Sequence, residues 1–250
     1  MYLFLGEPDD ALSRDLRNAL EQRGRRVRAL SHPFSESTRF SWQLDSNRSS
    51  SVLALLDGTY LTDSNISGIL LGRTKAAEAT SGRSNDSNYI KAEIEAAILG
   101  WIWSLPCPVI NRLPAWLWYY QNPPFQFWNR LLRMNGLMEL NYDRQESEAR
   151  IANQDPSIVC SRACVVDQAV VWSDARSGKL ARYEPALIQF TRCAGLSFLE
   201  IVIVKTSDGI GVKELDPFPD LGRFCSSSRA AITEALVKLF THSNPRLCPP

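Results

Sequence analysis

The order of apolar and polar positions at the start of the chain predicts a strand, a helix and a second strand. Tyr2–Leu5 and Val27–Leu30 are short apolar runs, and the segment between them has helical periodicity. A helix over residues 11–22 would carry its apolar side chains on one face, namely Leu12, Leu16, Ala19 and Leu20. Gly24 follows as the residue that ends it. The pattern predicts the opening βαβ unit of an open α/β sheet.

The segment that precedes Ile66 is polar and variable-looking, and the chain after it predicts two more strands and two helices. Strands are expected at residues 66–71 and 107–112, and helices at 88–104 and 124–134. Residues 73–88 are rich in Ser, Thr, Gly and Ala, which favours a loop. Seven aromatic residues between Trp116 and Trp128 have two interpretations. They are a platform for a peptide or base, or they pack a loop and helix onto the sheet.

A change of composition after residue 137 predicts a domain boundary. Residues 138–155 are polar and charged with little apolar periodicity. We therefore expect an α/β domain at 1–137, a linker at 138–157, a second domain at 158–243 and a tail at 244–250. The second domain is predicted to contain strands at 159–166 and 168–172, helices at 184–194 and 227–240, and a closing β-hairpin over 198–216.

The closing hairpin carries three carboxylates whose placement depends on strand register. A three-residue loop with Gly209 in a left-handed conformation would place Glu200 opposite Asp216. Side-chain alternation would then bring Glu200, Glu214 and Asp216 to one face of the sheet. A two-residue loop would shift the register by one and separate them.

Three carboxylates that lie close together repel one another, and a hard divalent cation relieves that repulsion. The hairpin therefore predicts a site for Mg²⁺ or Mn²⁺ with Glu200, Glu214 and Asp216 as ligands. The alternative is that Glu214 and Asp216 are solvated charges at the end of a strand.

Composition excludes several classes of function. The net charge of +1 gives no overall attraction to nucleic acid or to an anionic membrane. No apolar run is long enough for a transmembrane helix, and the N-terminus lacks the basic region of a secretory signal. Two histidines are too few for the usual Cys/His zinc patterns. Cys160 and Cys164 are either half of a metal site or buried thiols, and we expect buried thiols in a reduced cytoplasm.

The motifs resemble those of a known family. Residues 214–219 read Glu-x-Asp-Pro-Phe-Pro, follow the Asp208-Gly209 turn, and resemble the C-terminal end of ATP-grasp ligases. In the first half, Tyr89, Glu93 and the segment 106–112 resemble the pre-ATP-grasp domain of RimK-like and peptide-tailoring ligases. The resemblance implies a pre-ATP-grasp-like α/β domain followed by a truncated α+β ATP-grasp-like domain with an antiparallel sheet.

The resemblance also implies roles for residues. Glu200, Glu214 and Asp216 take the positions that bind the Mg²⁺ of MgATP, with Asp216 where the family has asparagine. Arg162 takes the position of an arginine that contacts phosphate or substrate. A lobe that supplies two lysines and the adenine pocket has no counterpart, because residues 136–159 contain no lysine and no glycine-rich loop. Roughly 70–80 residues are missing, the size of a small subdomain.

Three functions remain open at this point. The first is a catalytically reduced relative, a binding or scaffold partner for a peptide or for a full-length ligase. The second is an active ligase, in which ATP phosphorylates a carboxylate and an amine attacks the acyl-phosphate. The third is a metal-dependent enzyme acting on another small substrate. We expect the first, since stabilising a transferring phosphoryl group usually needs more cations than this chain offers there.

Overall fold

The computed structural model describes residues 1–6, 10–31, 38–45, 48–72, 85–113, 125–139, 160–173, 180–206 and 209–242. The chain divides into two compact units, Met1–Ala115 with Leu236–Pro250 and Trp116–Ala235. Most of the predicted linker and the predicted tail lie outside the described residues, so the division at 137 stays a prediction.

The described residues form twelve strands and five α-helices. The strands are β1 (Tyr2–Leu5), β2 (Val27–Leu30), β3 (Thr38–Asp45), β4 (Arg48–Leu55), β5 (Tyr60–Thr62), β6 (Gly68–Leu71), β7 (Val109–Ile110), β8 (Met138–Glu139), β9 (Cys160–Val166), β10 (Ala169–Trp172), β11 (Phe198–Thr206) and β12 (Gly209–Asp216). The helices are α1 (Ala11–Glu21), α2 (Asn85–Ser104), α3 (Phe125–Met134), α4 (Glu184–Cys193) and α5 (Ser226–His242). Across the described part of the chain, none of these helices has the length and apolar character to span a membrane.

The first unit is built on a parallel sheet in the order β2-β1-β6-β7. Asp10 caps α1 by accepting from the backbone N–H of Ser13, and Leu12, Leu16 and Leu20 are buried along one face of the helix. Gly24 ends the helical segment with a φ of 71°, a conformation that glycine adopts without steric cost. The predicted open βαβ unit is therefore confirmed.

A three-stranded antiparallel sheet, β3-β4-β5, lies where the sequence predicted only a polar stretch. The prediction was wrong because the exposed face of this sheet carries mainly polar side chains, which mask the apolar alternation of the other face. That other face contributes Leu53 and Leu61, each 1% exposed. This face packs on α2. The Trp42 ring lies so close to Gly100 that a Cβ added there would be 2.7 Å from Trp42 Cη2. The rings of Phe40 and Trp101 are 5.1 Å apart.

The second unit is a five-stranded sheet in the order β10-β9-β11-β12-β8. Neighbouring strands are antiparallel except for β12 and β8, which pair in parallel at one edge. The sheet is therefore mixed, whereas an antiparallel one was expected. β8 consists of the first two residues of the predicted linker.

Helices α3 and α4 pack together in the second unit through one aromatic contact. Trp128 is 4% exposed, and its ring lies 5.9 Å from that of Phe190. The packing interpretation therefore holds for Trp128. Residues 116–124 lie outside the described residues, so the choice between platform and packing stays open for the other aromatics.

The closing hairpin has the predicted pairing of Glu200 with Asp216, but it reaches that pairing by a different route. Thr206 pairs with Gly209, so two residues connect the strands where three were predicted. A register shift between Val202 and Ile203 leaves Lys213 as the extra residue of a β-bulge. The bulge compensates for the shorter connection and restores the carboxylate alignment that a two-residue loop alone would lose.

The cysteines do not all have the predicted burial. Cys107 and Cys164 are buried free thiols, whereas Cys160, Cys193 and Cys225 are exposed free thiols. Cys160 begins β9 at the margin of the sheet, and Cys164 lies in the middle of the same strand, which explains the difference. Burial raises the pKa of Cys107 to about 11 and the pKa of Cys164 well above its ordinary value.

Candidate functional site

The pairing of β9, β11 and β12 brings the four predicted site residues to one face of the sheet. Glu200 lies between Cys164 on β9 and Asp216 on β12. Val202, two residues further along β11, pairs with both Arg162 and Glu214. Residues two apart in a strand point to the same face. The register therefore places Glu200, Glu214 and Asp216 on one face, as the sequence predicted, and adds Arg162 to that face.

Glu200 is the buried member of this face, and both of its carboxylate oxygens accept hydrogen bonds from the protein. Its relative exposure is 1%. Arg162 donates from Nη1 to Oε1, and the backbone N–H of Asp220 donates to Oε2 at 3.2 Å. A buried carboxylate is costly unless it is paired and hydrogen-bonded. Glu200 therefore has the counter-charge that its burial requires.

A second arginine, which the sequence analysis did not select, completes the site. Arg223 lies at the end of the 3₁₀ turn Leu221–Arg223 that follows β12. Its Nη1 is 3.8 Å from Glu200 Oε1 and 3.6 Å from Glu214 Oε1. One guanidinium nitrogen thus lies within ion-pair distance of two of the three predicted metal ligands.

Two aspartates hold the backbone around this arginine. Asp216 Oδ1 accepts from the N–H of Phe218 at 2.9 Å, directly after β12. Asp220 Oδ1 accepts from the N–H of Gly222 at 2.9 Å, and its Oδ2 lies 3.5 Å from Nε of Arg223. Asp220 therefore contacts Glu200 through its backbone and Arg223 through its side chain. We name Arg162, Glu200, Glu214, Asp220 and Arg223 the arginine–carboxylate cluster.

The present arrangement of this face is unfavourable for a divalent cation, because Arg162 and Arg223 lie beside its carboxylates. A carboxylate already paired with an arginine attracts a divalent cation less strongly than an unpaired one. Both oxygens of Glu200 accept from protein donors, and Asp216 caps a turn. In the part of the chain that the structure describes, no group of three or more His, Cys, Asp or Glu side chains could hold a metal ion. The assignment of Glu200, Glu214 and Asp216 as ligands, and of Arg162 as catalytic, stays a prediction.

Sequence reasoning missed Arg223 and Asp220 because neither belongs to a strand pattern. The available signal was the segment Asp-Leu-Gly-Arg at 220–223, since Asp followed by Gly two residues later is typical of an Asx turn. That signal predicts a turn, but it does not indicate the direction in which the arginine points.

Cys225 is a separate chemical feature of the second unit. It precedes α5, and its Sγ lies 3.2 Å from the hydroxyl oxygens of Ser227 and Ser228. Hydrogen bonds from Ser227 and then Ser228 lower the pKa of the Cys225 thiol to about 7. Cys225 is thus an exposed thiol with substantial thiolate character at neutral pH.

The fold is that of the ATP-grasp ligases. The chain is similar to the macrocyclase MdnC of Microcystis aeruginosa MRC, solved with its precursor peptide MdnA, at a TM-score of 0.72 and 13% identity over 97% of this chain and 100% of that one. It is also similar to a RiPP-associated ATP-grasp ligase of Chryseobacterium gregarium, solved with ADP and a leader and core peptide, at a TM-score of 0.68 and 10% identity over 98% and 97% of the two chains.

A third similar structure is a RimK domain ATP-grasp protein of Sphaerobacter thermophilus DSM 20745, with a TM-score of 0.53 and 14% identity over 97% of this chain and 100% of that one. No protein-family model matches the chain, and no curated protein matches it. At these identities the likeness establishes the fold alone, and it confirms the fold that the motifs implied. The shortened bridge between residues 136 and 159 stays a prediction.

Proposed function

We propose that this chain is a reduced ATP-grasp-like protein that serves as a binding or scaffold partner in a peptide or small-molecule ligation pathway. The observation that carries the proposal is the state of Glu200. The resemblance implies that this residue binds the Mg²⁺ of MgATP. In the structure, however, its Oε1 accepts a hydrogen bond from Arg162 and its Oε2 accepts one from the backbone N–H of Asp220. A carboxylate paired in this way has its charge balanced by the protein itself, so its burial requires no metal ion.

The sequence of the bridge at 136–159 supports the same proposal. It contains arginines at 144 and 150 but no lysine, and its only glycine is Gly136. Phosphoryl transfer relies on cationic groups and metal ions that neutralise charge on the phosphates. A chain that lacks the lysines and has an engaged Glu200 is poorly equipped for that chemistry.

The partner we propose is a peptide, or a full-length ligase that acts on one. MdnC was solved with a precursor peptide, and the Chryseobacterium gregarium ligase was solved with a leader and a core peptide. The fold shared with those proteins supports a peptide partner here. A reduced relative that retains peptide binding would present or protect the substrate without modifying it.

The second candidate function is an active ATP- and Mg²⁺-dependent carboxylate–amine ligase. What supports it is the register, because Arg162, Glu200, Glu214 and Asp216 share one face of the sheet. This function requires Arg223 to move away from Glu200 and Glu214 before MgATP could bind there.

Calorimetric titration of the full chain with MgATP, and with Mg²⁺ alone, separates the two candidates. The reduced relative shows no saturable heat with either ligand up to about 1 mM. Glu214→Ala then gives the same flat titration as the wild type. Micromolar binding of MgATP that Glu214→Ala abolishes would establish the active ligase and overturn our proposal. Asp57→Ala, on the first unit, controls for general loss of a carboxylate.

A further inference from the structure

We infer that Arg223 is a built-in counter-cation of the acidic hairpin, and that it excludes divalent cations from the face formed by Glu200, Glu214 and Asp216. The inference starts from the disagreement between the carboxylate pattern and the geometry. Strand register brings the three acids together, as a metal site requires, but the space beside two of them is taken by a guanidinium group.

The position of one nitrogen atom carries the inference. Nη1 of Arg223 is 3.8 Å from Glu200 Oε1 and 3.6 Å from Glu214 Oε1. A Mg²⁺ ion bonded to either oxygen at about 2.0–2.1 Å would lie within about 6 Å of this positively charged group and would be repelled by it. The present position of Arg223 therefore disfavours cation binding at Glu200 and Glu214.

The anchoring of Arg223 makes the exclusion a property of the fold. Its Nε lies 3.5 Å from Asp220 Oδ2, and the same carboxylate accepts from the N–H of Gly222 within the 3₁₀ turn. Asp220 also donates its backbone N–H to Glu200. The arginine, its anchor and the buried acid are thus joined through one residue.

Charge balance within the arginine–carboxylate cluster also disfavours a divalent cation. Glu200 has Arg162 as its direct partner, so its burial creates no demand for an added cation. Glu214 is 50% exposed, so water and Arg223 screen it. Removal of Arg223 would leave Glu214 without this neighbour and would open the space between the two acids.

The inference is independent of the proposed function. An active ligase could hold the same arginine and exchange it for a metal–nucleotide complex, and a reduced relative would hold it permanently. The inference about Arg223 and the proposed function can therefore fail separately. The inference is tested with the metal ion alone, and the proposed function is tested with MgATP.

The test is a titration of the full chain with Mn²⁺, followed by the loss of the electron paramagnetic resonance signal of the free aqueous ion. Three variants are compared with the wild type. Arg223→Gln removes the cation, Arg223→Lys keeps a cation without the planar fork, and Arg28→Gln is the matched control. Arg28 pairs with Asp57 in the first unit, and its side chain is 42% exposed, against 40% for Arg223.

We expect the wild type, Arg223→Lys and Arg28→Gln to bind Mn²⁺ weakly and alike, and Arg223→Gln to bind it at least about tenfold more tightly, because a positive charge beside two carboxylates has gone. Micromolar binding by the wild type would overturn the inference. So would an Arg223→Gln variant, folded by circular dichroism, whose affinity does not rise. If Arg223→Gln does not fold, Arg223→Met takes its place, and a folded Arg223→Met variant that binds Mn²⁺ no more tightly than the wild type contradicts the inference.

Discussion

Each of the two units contains a partly buried carboxylate network, and the two networks use different donors. In the first unit, Asp63 accepts from the backbone N–H of Ser51 at 3.0 Å and also from its hydroxyl group. The Ser51 oxygen in turn accepts from Trp101 Nε1 at 2.8 Å. In the second unit, Glu200 accepts from a guanidinium group and one backbone N–H.

The difference teaches what each network can do. Ser51 and Trp101 are neutral, 4% and 0% exposed, and are fixed by the sheet and by α2. Their hydrogen bonds join a strand to a helix and offer no charge that can be exchanged. Arg162 and Arg223 are cations with 24% and 40% exposed side chains, so a ligand with its own charge could compete with them. The first network holds the fold, and the second is where a function would be gained or lost.

The largest expected effect is that of Arg162→Met, which leaves Glu200 buried without its main partner. We expect a loss of about 3–5 kcal/mol in the free energy of unfolding, because an unpaired buried charge remains. Urea denaturation measures it. Arg28→Met removes a similar side chain from an exposed pair and should have no measurable effect. Equal stability of the two variants would mean that Glu200 does not depend on Arg162.

A smaller loss is expected when the neutral network of the first unit is broken. Ser51→Ala removes the acceptor for Trp101 Nε1 and a donor to Asp63. An unsatisfied buried polar group costs about 1–3 kcal/mol, so the same denaturation experiment should show a loss in that range. The exposed neighbour Ser50 provides the control, since Ser50→Ala breaks no part of the network. A loss as large as that of Arg162→Met would remove the contrast between neutral and charged donors.

The smallest perturbation contrasts a thiol from each unit. Cys225 is exposed with its pKa lowered to about 7, and Cys107 is buried with its pKa raised to about 11. Thiolate is the reacting form, so alkylation of Cys225 by iodoacetamide should rise through pH 7, while Cys107 stays unmodified in the folded protein. Peptide mapping by mass spectrometry assigns the alkylated sites, and Cys225→Ser should remove the alkylation that rises through pH 7. An alkylation midpoint above about pH 8.5 at Cys225 would show that the serine hydroxyls do not stabilise the thiolate.

The sequence was informative where one local pattern determines the structure. The βαβ opening follows from apolar runs around an amphipathic helix. The pairing of Glu200 with Asp216 was predicted from a three-residue loop, but the structure forms it with a two-residue connection and a bulge. The bulge at Lys213 could not be predicted, because the extra residue compensates for a short connection that the sequence does not reveal.

The missed parts depend on contacts between distant segments. The β3–β5 sheet has one polar face, so its apolar alternation becomes clear only once Trp42 is seen against Gly100 of α2. Arg223 reaches Glu200 because a 3₁₀ turn folds back after β12. The sequence thus indicated the acids of the site but not the arginine that lies beside them.

The central claim is that Glu200 is a carboxylate satisfied by the protein itself. The most direct measurement is the free energy of unfolding of Glu200→Gln, obtained by urea denaturation without added metal or nucleotide. Our account predicts a loss of about 3 kcal/mol, because Arg162 and Arg223 lose the charge they surround. If Glu200 were instead a ligand-binding acid repelled by Glu214 and Asp216, its replacement by glutamine would remove that repulsion and make the variant more stable than the wild type. A gain in stability would contradict the account.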